Sequence, residues 1–238
     1  MATLYRKDPS PATMDLTSLF DWMAPRYVRQ TTLVSWGRYP RWMRKLAHRV
    51  AALAPESVLD VGCGPGILLG YLKTLCPECT LLGLDPSTGM LALVPSGIPT
   101  MTGRLPGWSP DDGRRFDVAV LSFVLRDLSE PVKALAAVRQ VLQPGGRLVV
   151  METQAPEGWS ASGFDLYFHH WLPRWGALAL APDFSGPPEQ APYRWLSDTQ
   201  RDWHRGERFG QWAKEAGFAD SAYEGKPQDV VGIWSARL

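Results

Sequence analysis

From residue 57 onward, short continuous apolar runs alternate with stretches whose apolar residues recur every three or four positions. The runs predict buried strands and the periodic stretches predict amphipathic helices. Ser57–Val61 is the first strand and ends in Asp60-Val61-Gly62. A glycine-rich loop follows, then Leu68, Tyr71, Leu72 and Leu75 at helical spacing, closed by Pro77. Thr80–Leu84 is the second strand and leads into Asp85, after which Ser87 can cap a short helix reaching Val94. Phe116–Ser122 is the third clear strand. Ser129 is then expected as an N-cap, with Pro131 in the first turn, where its missing N–H costs little. Leu135, Val138 and Leu142 give that helix its apolar stripe, Pro144-Gly145-Gly146 breaks it, and Arg147–Met151 is a further strand. In the last third, Gly163 to about Leu172 is expected as a helix stopped by Pro173, and 181–192 as a loop. Glu207–Ala216 is a helix ended by Gly217. Phe218–Glu224 and Asp229–Ser235 close the chain as an antiparallel pair at the sheet edge. Strands alternating with helices predict an α/β fold: a mostly parallel sheet with an antiparallel edge strand and helices on both faces.

Residues 1 to about 20 are polar, contain Pro9 and Pro11, and read as a loose arm. Residues 21–49 hold seven Lys/Arg against one acid, Asp21, interleaved with Trp22, Tyr27, Trp36, Tyr39 and Trp42. That pattern fits a pair of helices with a solvated basic face; it also fits a lid over a site, or a surface touching an anionic membrane. The expected organisation is an arm and lid over 1–50 and a main domain over 51–238, with an insertion at about 155–205 on the side where a substrate enters. The formal net charge of +1 argues against a nucleic-acid partner, which rewards a strongly basic surface. No basic stretch followed by an apolar run opens the chain, and no run approaches the ~18 apolar residues of a membrane span. A cytoplasmic protein is therefore expected, with the membrane surface open to it through 21–49. Cys76 and Cys79 have redox-motif spacing, but no second pair completes a zinc site, so Cys63, Cys76 and Cys79 read as reduced thiols.

The densest chemical signal is Asp60-Val61-Gly62-Cys63-Gly64-Pro65-Gly66. Glycines after a strand let the backbone turn tightly and approach a ligand without Cβ interference. Dinucleotide enzymes use a similar loop, but here the spacing is G-x-G-x-G, and Ile67 stands where their third glycine would be. Asp60, at the strand tip, can hold the loop and the charged amino-acid end of a cofactor. Asp85, 19 residues after Gly66, ends the next strand, where a carboxylate accepts from ribose hydroxyls. Asp85 could instead serve only as a turn or cap residue.

With these residues the chain resembles a class I S-adenosylmethionine-dependent methyltransferase, and within that class the ubiquinone/menaquinone-biosynthesis C-methyltransferase family. The resemblance covers most of residues 20–237. Phe20-Asp21-Trp22-Met23-Ala24-Pro25-Arg26-Tyr27 resembles the family's N-terminal signature, and Leu121 to Asp127 the segment after its fourth strand. Val141 to Leu148 is common to many class I methyltransferases. Phe164 to Pro173 resembles the helix after the fifth strand, and Tyr193-Arg194-Trp195-Leu196 another family segment. The resemblance implies a Rossmann-like sheet and S-adenosylmethionine as cofactor, with S-adenosylhomocysteine as product. It implies cofactor contacts at Asp60, Gly62, Gly64, Pro65, Gly66, Asp85, Pro86, Met101, Thr102 and Ser122. The chain departs from the family's pattern at Val28, Gln30, Thr31, Met101 and Asp127, positions expected around the acceptor pocket, the lid and the adenine contact. With Met101 in place of a polar residue, adenine recognition is expected to fall to backbone groups or Thr102.

The implied reaction is C-methylation of a quinol or phenol ring such as a demethylmenaquinol-like acceptor, a hydrophobic small molecule. O- or N-methylation of a natural product or a phospholipid amine is the alternative. A dehydrogenase and an inactive cofactor-binding partner protein are further rivals, and a homodimer is compatible with any of these. A phenolic hydroxyl has a reference pKa of about 10, so a base or a cation must help it ionise. Arg126, at the end of the third clear strand, could stabilise the phenolate, or simply pair with Asp127 or a helix carboxylate. His170 aligns with the family's histidine and is the expected base. Asp165 and His169 share a helix face at i, i+4, and Tyr167 and His170 the neighbouring face. Arg126, His170, Asp165 and Tyr167 are the expected catalytic residues.

Overall fold

In the computed structural model, the described residues are 16–181, 183–184, 191–203 and 206–238. Most of the expected loose arm, residues 1–15, and part of the expected 181–192 loop lie outside them. Helices α1 (Leu16–Met23), α2 (Tyr27–Val34) and α3 (Tyr39–Ala51) precede the sheet. Then come β1 (Ser57–Val61), α4 (Ile67–Leu75), β2 (Thr80–Asp85), α5 (Thr88–Leu91) and β3 (Thr100–Thr102). After β4 (Phe116–Ser122), α6 (Pro131–Gln140) and β5 (Leu142–Thr153), the chain leaves the sheet for α7 (Ala161–Asp165), a π-helical segment (Leu166–Trp171), α8 (Leu172–Leu180) and α9 (Pro192–Trp203). It returns through α10 (Phe209–Glu215), β6 (Asp220–Glu224) and β7 (Val231–Arg237).

The sheet order is β3-β2-β1-β4-β5-β7-β6. The strands β3, β2, β1, β4 and β5 pair in parallel, and β7 runs antiparallel to both β5 and β6. This is the expected mostly parallel, Rossmann-like sheet with an antiparallel edge. Successive strand residues point to opposite faces, and both faces are covered. Val58, Val118 and Val120 pack with Leu46 and Val50 of α3 and Leu68 and Leu72 of α4. Leu59, Ala119 and Leu121 pack with Leu135 and Val138 of α6 and Phe209 and Ala213 of α10. Each fully buried leucine or valine contributes roughly 1.5–3 kcal/mol, so strands apolar on both sides need both layers.

The chain runs β1 to β2 to β3 in one direction, then crosses to place β4 on the other side of β1. In such sheets ligands bind at this reversal, beyond the carboxyl ends of the strands. The loops after β1 and β4 therefore meet there.

Several elements depart from expectation. Glu130, not Ser129, is the N-cap residue of α6, and no side chain caps it; Pro131 does start the helix. Leu142 is not on α6: it pairs with Phe116 and opens β5. α5 ends at Leu91 and continues only as turns, Leu93 N–H to Met90 and Val94 N–H to Leu91, because Pro95 follows. Pro173 stops nothing. It lies in the first turn of α8, just after the π-helical segment, and helix continues to Leu180. β3 and α9 had no sequence expectation; β3 is three residues long, too short to show alternation. Cys63, Cys76 and Cys79 are free thiols. Among the described residues no helix is long and apolar enough to cross a membrane.

Candidate active site

Two cavities meet above the carboxyl ends of β1 and β4. The smaller, about 170 Å³, has Val61, Gly62, Gly64, Asp85, Pro86 and Ser122 among its walls. Gly62, Gly64 and Gly66 take φ of +69°, +53° and +72°, backbone that side chains disfavour. A Cβ on Gly62 would lie 2.5 Å from Val124 Cγ2, whereas one on Gly64 would meet nothing within 4 Å. The first glycine thus lets the loops after β1 and β4 pack together, and the second leaves open space facing the cavity. The N–H groups of Gly62 and Cys63 donate to Leu84 O at 2.7 and 3.1 Å, fixing the loop against β2.

Asp85 accepts from the Gly64 N–H on one carboxylate oxygen and from the Ser87 N–H on the other, each at 2.8 Å. It therefore ties loop and turn together while lining the cavity, and each oxygen keeps a second lone pair for a ligand. Burial raises its pKa, and those two N–H groups restrain the rise. Ser87 caps α5 as expected, accepting from the Met90 N–H at 3.0 Å.

Asp60 is fully buried beneath the loop rather than in the cavity wall, and neither carboxylate oxygen has a hydrogen-bond partner among the described residues. Burial, with Asp85 nearby, pushes its pKa from 3.8 up to about 8. A buried carboxylate left uncompensated under a glycine cradle fits a ligand that brings a positive charge there. An adenosyl sulfonium with a free amino group has that chemistry, and hydroxyls for Asp85.

The other expected cofactor residues divide. Pro86 and Ser122 line the cavity with the loop glycines. Gly66 sits behind them as the left-handed N-cap of α4. Pro65 faces away, into a shallow groove with Pro25 and Val28. Met101 and Thr102, both exposed, do not reach the cavity. Strand β3 ends at Thr102, and the next residues, Gly103, Arg104 and Leu105, turn in to form the wall instead.

Helix α1 closes this cavity from above through Leu16, Thr17 and Phe20. Asp21 Oδ1 accepts from Ser87 Oγ at 2.6 Å and from the Gly89 N–H at 2.9 Å, clamping α1 to the start of α5.

The larger cavity, about 460 Å³, lies on the α2, α7 and α9 side, with Tyr39, Trp42, Phe164, Phe168, Tyr193 and Trp195 among its walls. Phe20, Tyr27, Phe123 and Asp127 line both cavities and form the partition between them. Phe123 holds φ of +59°, a left-handed turn for a bulky residue, and its N–H donates to Met151 O at 2.7 Å. Of the family departures, Gln30, Thr31 and Asp127 line the larger cavity, while Val28 is exposed outside it.

The polar corner of this cavity is built on Arg126. Its Nη1 donates to Glu152 Oε2 at 2.9 Å and Thr153 Oγ1 at 3.1 Å, and its Nε to Thr199 Oγ1 at 3.3 Å. Asp127 Oδ1 lies 3.3 Å from Arg126 Nε, outside hydrogen-bond geometry, and has no hydrogen-bond partner among the described residues. Burial opposes the arginine's charge, but Glu152 and Asp127 outweigh it and raise its pKa. Burial also holds Glu152 and Asp127 above the usual carboxylate range, with Arg126 pulling both back. Arg126 thus has both roles weighed from sequence, a place in the cavity wall and a buried ion pair. Glu152 was the residue sequence reading missed; its one signal is a carboxylate directly after the apolar run Leu148–Met151.

The remaining expected catalytic residues are not brought together. The π-helical winding of Leu166–Trp171 advances more residues per turn, so Asp165 meets His170, not His169. His170 Nε2 lies 3.4 Å from Asp165 Oδ2, with both side chains more than half exposed and outside both cavities. His170 is therefore not placed to act as the base. His169 Nδ1 lies 2.9 Å from Ser197 Oγ, also outside both cavities. Tyr167 does line the large cavity, but its hydroxyl donates to Val34 O at 2.8 Å, which makes it a wall residue.

The model of the ubiE/COQ5 methyltransferase family matches residues 104–237, and a general methyltransferase-domain model matches 59–148. A demethylmenaquinone methyltransferase of Deinococcus radiodurans is 31% identical over 223 residues, covering 91% of this chain and 89% of that protein. The ubiquinone/menaquinone biosynthesis C-methyltransferase UbiE of Syntrophotalea carbinolica is 30% identical over 238 residues, covering 96% of each chain. In fold, the chain is similar to a SAM-dependent methyltransferase of Thermotoga maritima, with a TM-score of 0.65 at 16% identity over 93% of this chain and 99% of that one. It is also similar to human N-acetylserotonin methyltransferase in complex with SAM, with a TM-score of 0.58 at 17% identity over 96% of this chain and 60% of that one. With its glycine cradle, its paired carboxylates and an apolar chamber across the partition, the chain belongs to the ubiE/COQ5 methyltransferase family and is an S-adenosylmethionine-dependent methyltransferase.

Proposed function

We propose that the chain transfers a methyl group to a ring carbon of a quinol or phenol of the demethylmenaquinol kind. The observation that carries this reading is the larger cavity. Its volume of about 460 Å³ suits a two-ring aromatic head group. Its walls are largely aromatic and apolar, with Gln30, Thr31, Ser35, Arg38 and Ser160 among the polar ones, and Arg126, Asp127 and Thr153 form a polar corner beside the partition with the donor cavity. S-adenosylmethionine, bound on the glycine loop, supplies an electrophilic methyl group. Gly62, Gly64, Asp85 and Ser122 hold it, with Asp60 compensating its positive end. The ring walls align the acceptor with it and exclude water, which suits a reaction in which positive charge disappears. Arg126 stabilises the oxyanion of the ionised acceptor.

The relatives' names support a hydrophobic quinone-type acceptor for this site. Helices α1 and α2 act as a lid, since both line the partition. A membrane surface is the proposed source of the acceptor. Trp36 lies tilted against Tyr167 with ring centroids 5.6 Å apart, and Tyr167, Trp171 and Trp175 stack one after another at 5.7 and 5.9 Å. Trp36, Trp171 and Trp175 are about half exposed or more, and Trp36 and Tyr167 stand at the cavity's own edge. N-methylation of an amine is the second reading, because one arginine between two buried carboxylates leaves a corner that suits a cation. Methyl-labelled S-adenosylmethionine offered with a panel of demethylmenaquinols, phenols and amines tests both. Label in the quinols supports the proposal, and label confined to amines overturns it.

A further inference from the structure

The acceptor hydroxyl needs a proton acceptor, and His170 is not placed to be one. Of the carboxylates near the partition, Asp60 is buried beneath the glycine loop and lines neither cavity. Asp85 lines only the donor cavity, where the loop N–H groups hold it. Glu152 is fully buried behind Arg126 and lines neither cavity. Asp127 lines both, ends the short 3₁₀ turn after β4, and carries an oxygen with no hydrogen-bond partner. We propose that Asp127 is the general base that takes the proton from the acceptor's ring hydroxyl, with Arg126 positioning it and holding the resulting oxyanion.

This rests on the reading of the chain as a ring C-methyltransferase. The acceptor's O–H bond breaks, its proton bonds to Asp127, and the electron pair stays on oxygen, where conjugation enriches the ring carbon. That carbon forms a bond to the methyl carbon, and the pair of the broken C–S bond remains on sulfur, cancelling its charge. The ring carbon then loses its hydrogen to water as a proton and regains aromaticity, and Asp127 returns its proton to the oxygen. One proton is released per turnover.

The surroundings of Asp127 suit a base. Burial lifts its pKa toward neutrality, where a base is most effective. The charged and titratable groups facing it are Arg126 on its own turn, Glu152 on β5 and Tyr27 on α2. Arg126 and the Thr199 hydroxyl of α9 favour the ionised form. Glu152 opposes it only when itself ionised, and burial raises the pKa of that carboxyl as well. The Tyr27 phenol is pushed up to about 12, so it stays neutral and is not the base.

The test is Asp127→Asn, which keeps shape and removes the base. Turnover with a demethylmenaquinol is expected to fall by about 10²–10⁴-fold, while donor affinity by calorimetry stays within about threefold. The acid limb of the wild-type pH–rate profile should vanish in the variant and persist in Asp127→Glu. Phenols bearing electron-withdrawing groups, ionised without help at neutral pH, should recover most of the lost rate. A purely structural residue would not respond to acceptor acidity. Turnover of the variant within threefold of wild type, or a wild-type profile with no acid limb between about pH 4 and 7, overturns the assignment. Failure of the functional reading is recognised separately, by wild type placing no methyl on a ring carbon; a variant that does not fold leaves the wild-type profile to decide.

Discussion

Asp60 is the buried group whose neutralisation can be followed most simply. Its pKa is raised from 3.8 to about 8, so at pH 7 the folded chain keeps a proton that the unfolded chain has released. Holding that proton at pH 7 against an ordinary value of 3.8 costs about 4 kcal/mol at ~1.4 kcal/mol per pH unit. Because folding raises the value, the penalty is absent below the ordinary pKa, grows as pH rises, and levels off once the folded carboxyl ionises near pH 8. Asp60→Asn removes it, although an amide with the same unpartnered surroundings gives back ~1–3 kcal/mol. The ligand-free variant should therefore be more stable than wild type by about 1–3 kcal/mol at pH 7, with a gap about 2–3 kcal/mol smaller at pH 5. Urea unfolding followed by circular dichroism at pH 5, 6, 7 and 8 measures this directly. The same variant should lose at least about tenfold in affinity for S-adenosylmethionine, since a bound cation drives the proton off Asp60 and meets an anion, which the amide cannot become. A stability gap that does not change with pH, or unchanged donor affinity, refutes the reasoning.

Other consequences are quick to test. Gly62→Ala forces a side chain into left-handed backbone and against Val124, so donor binding should become undetectable by calorimetry. His170→Ala truncates a side chain outside both cavities, so kcat and KM should stay within about twofold of wild type by radiolabel assay. Replacing Trp171 and Trp175 together with Ser should reduce sedimentation with anionic vesicles several-fold, while turnover of a short-chain soluble acceptor is unchanged.

The central sheet and the donor loop were legible because their signals are local. Asp60 to Gly66 and Asp85 each sit at the end of a strand that is apolar on both faces, and burial of those strands leaves one way to stack them. The acceptor side was less legible because its geometry depends on winding and long-range contact. A π-helical segment carried His170 away from the chamber and onto Asp165, which an i, i+4 count cannot foresee. Pro173 reads as a stop but lies in the first turn of the next helix. The Arg126, Glu152 and Thr199 cluster joins three segments whose proximity appears only once β4 pairs with β5 and α9 folds over them. Asp127 was visible in the sequence as a departure from the family pattern; its place in the walls of both cavities was not.

The most direct measurement supplies S-adenosylmethionine with a ¹³C-labelled methyl group and a demethylmenaquinol with a ¹³C-labelled ring, then examines the product by NMR. A one-bond carbon–carbon coupling between the new methyl group and the ring is the expected result. A labelled methyl group attached to oxygen or nitrogen, with no coupling to a ring carbon, would contradict the account.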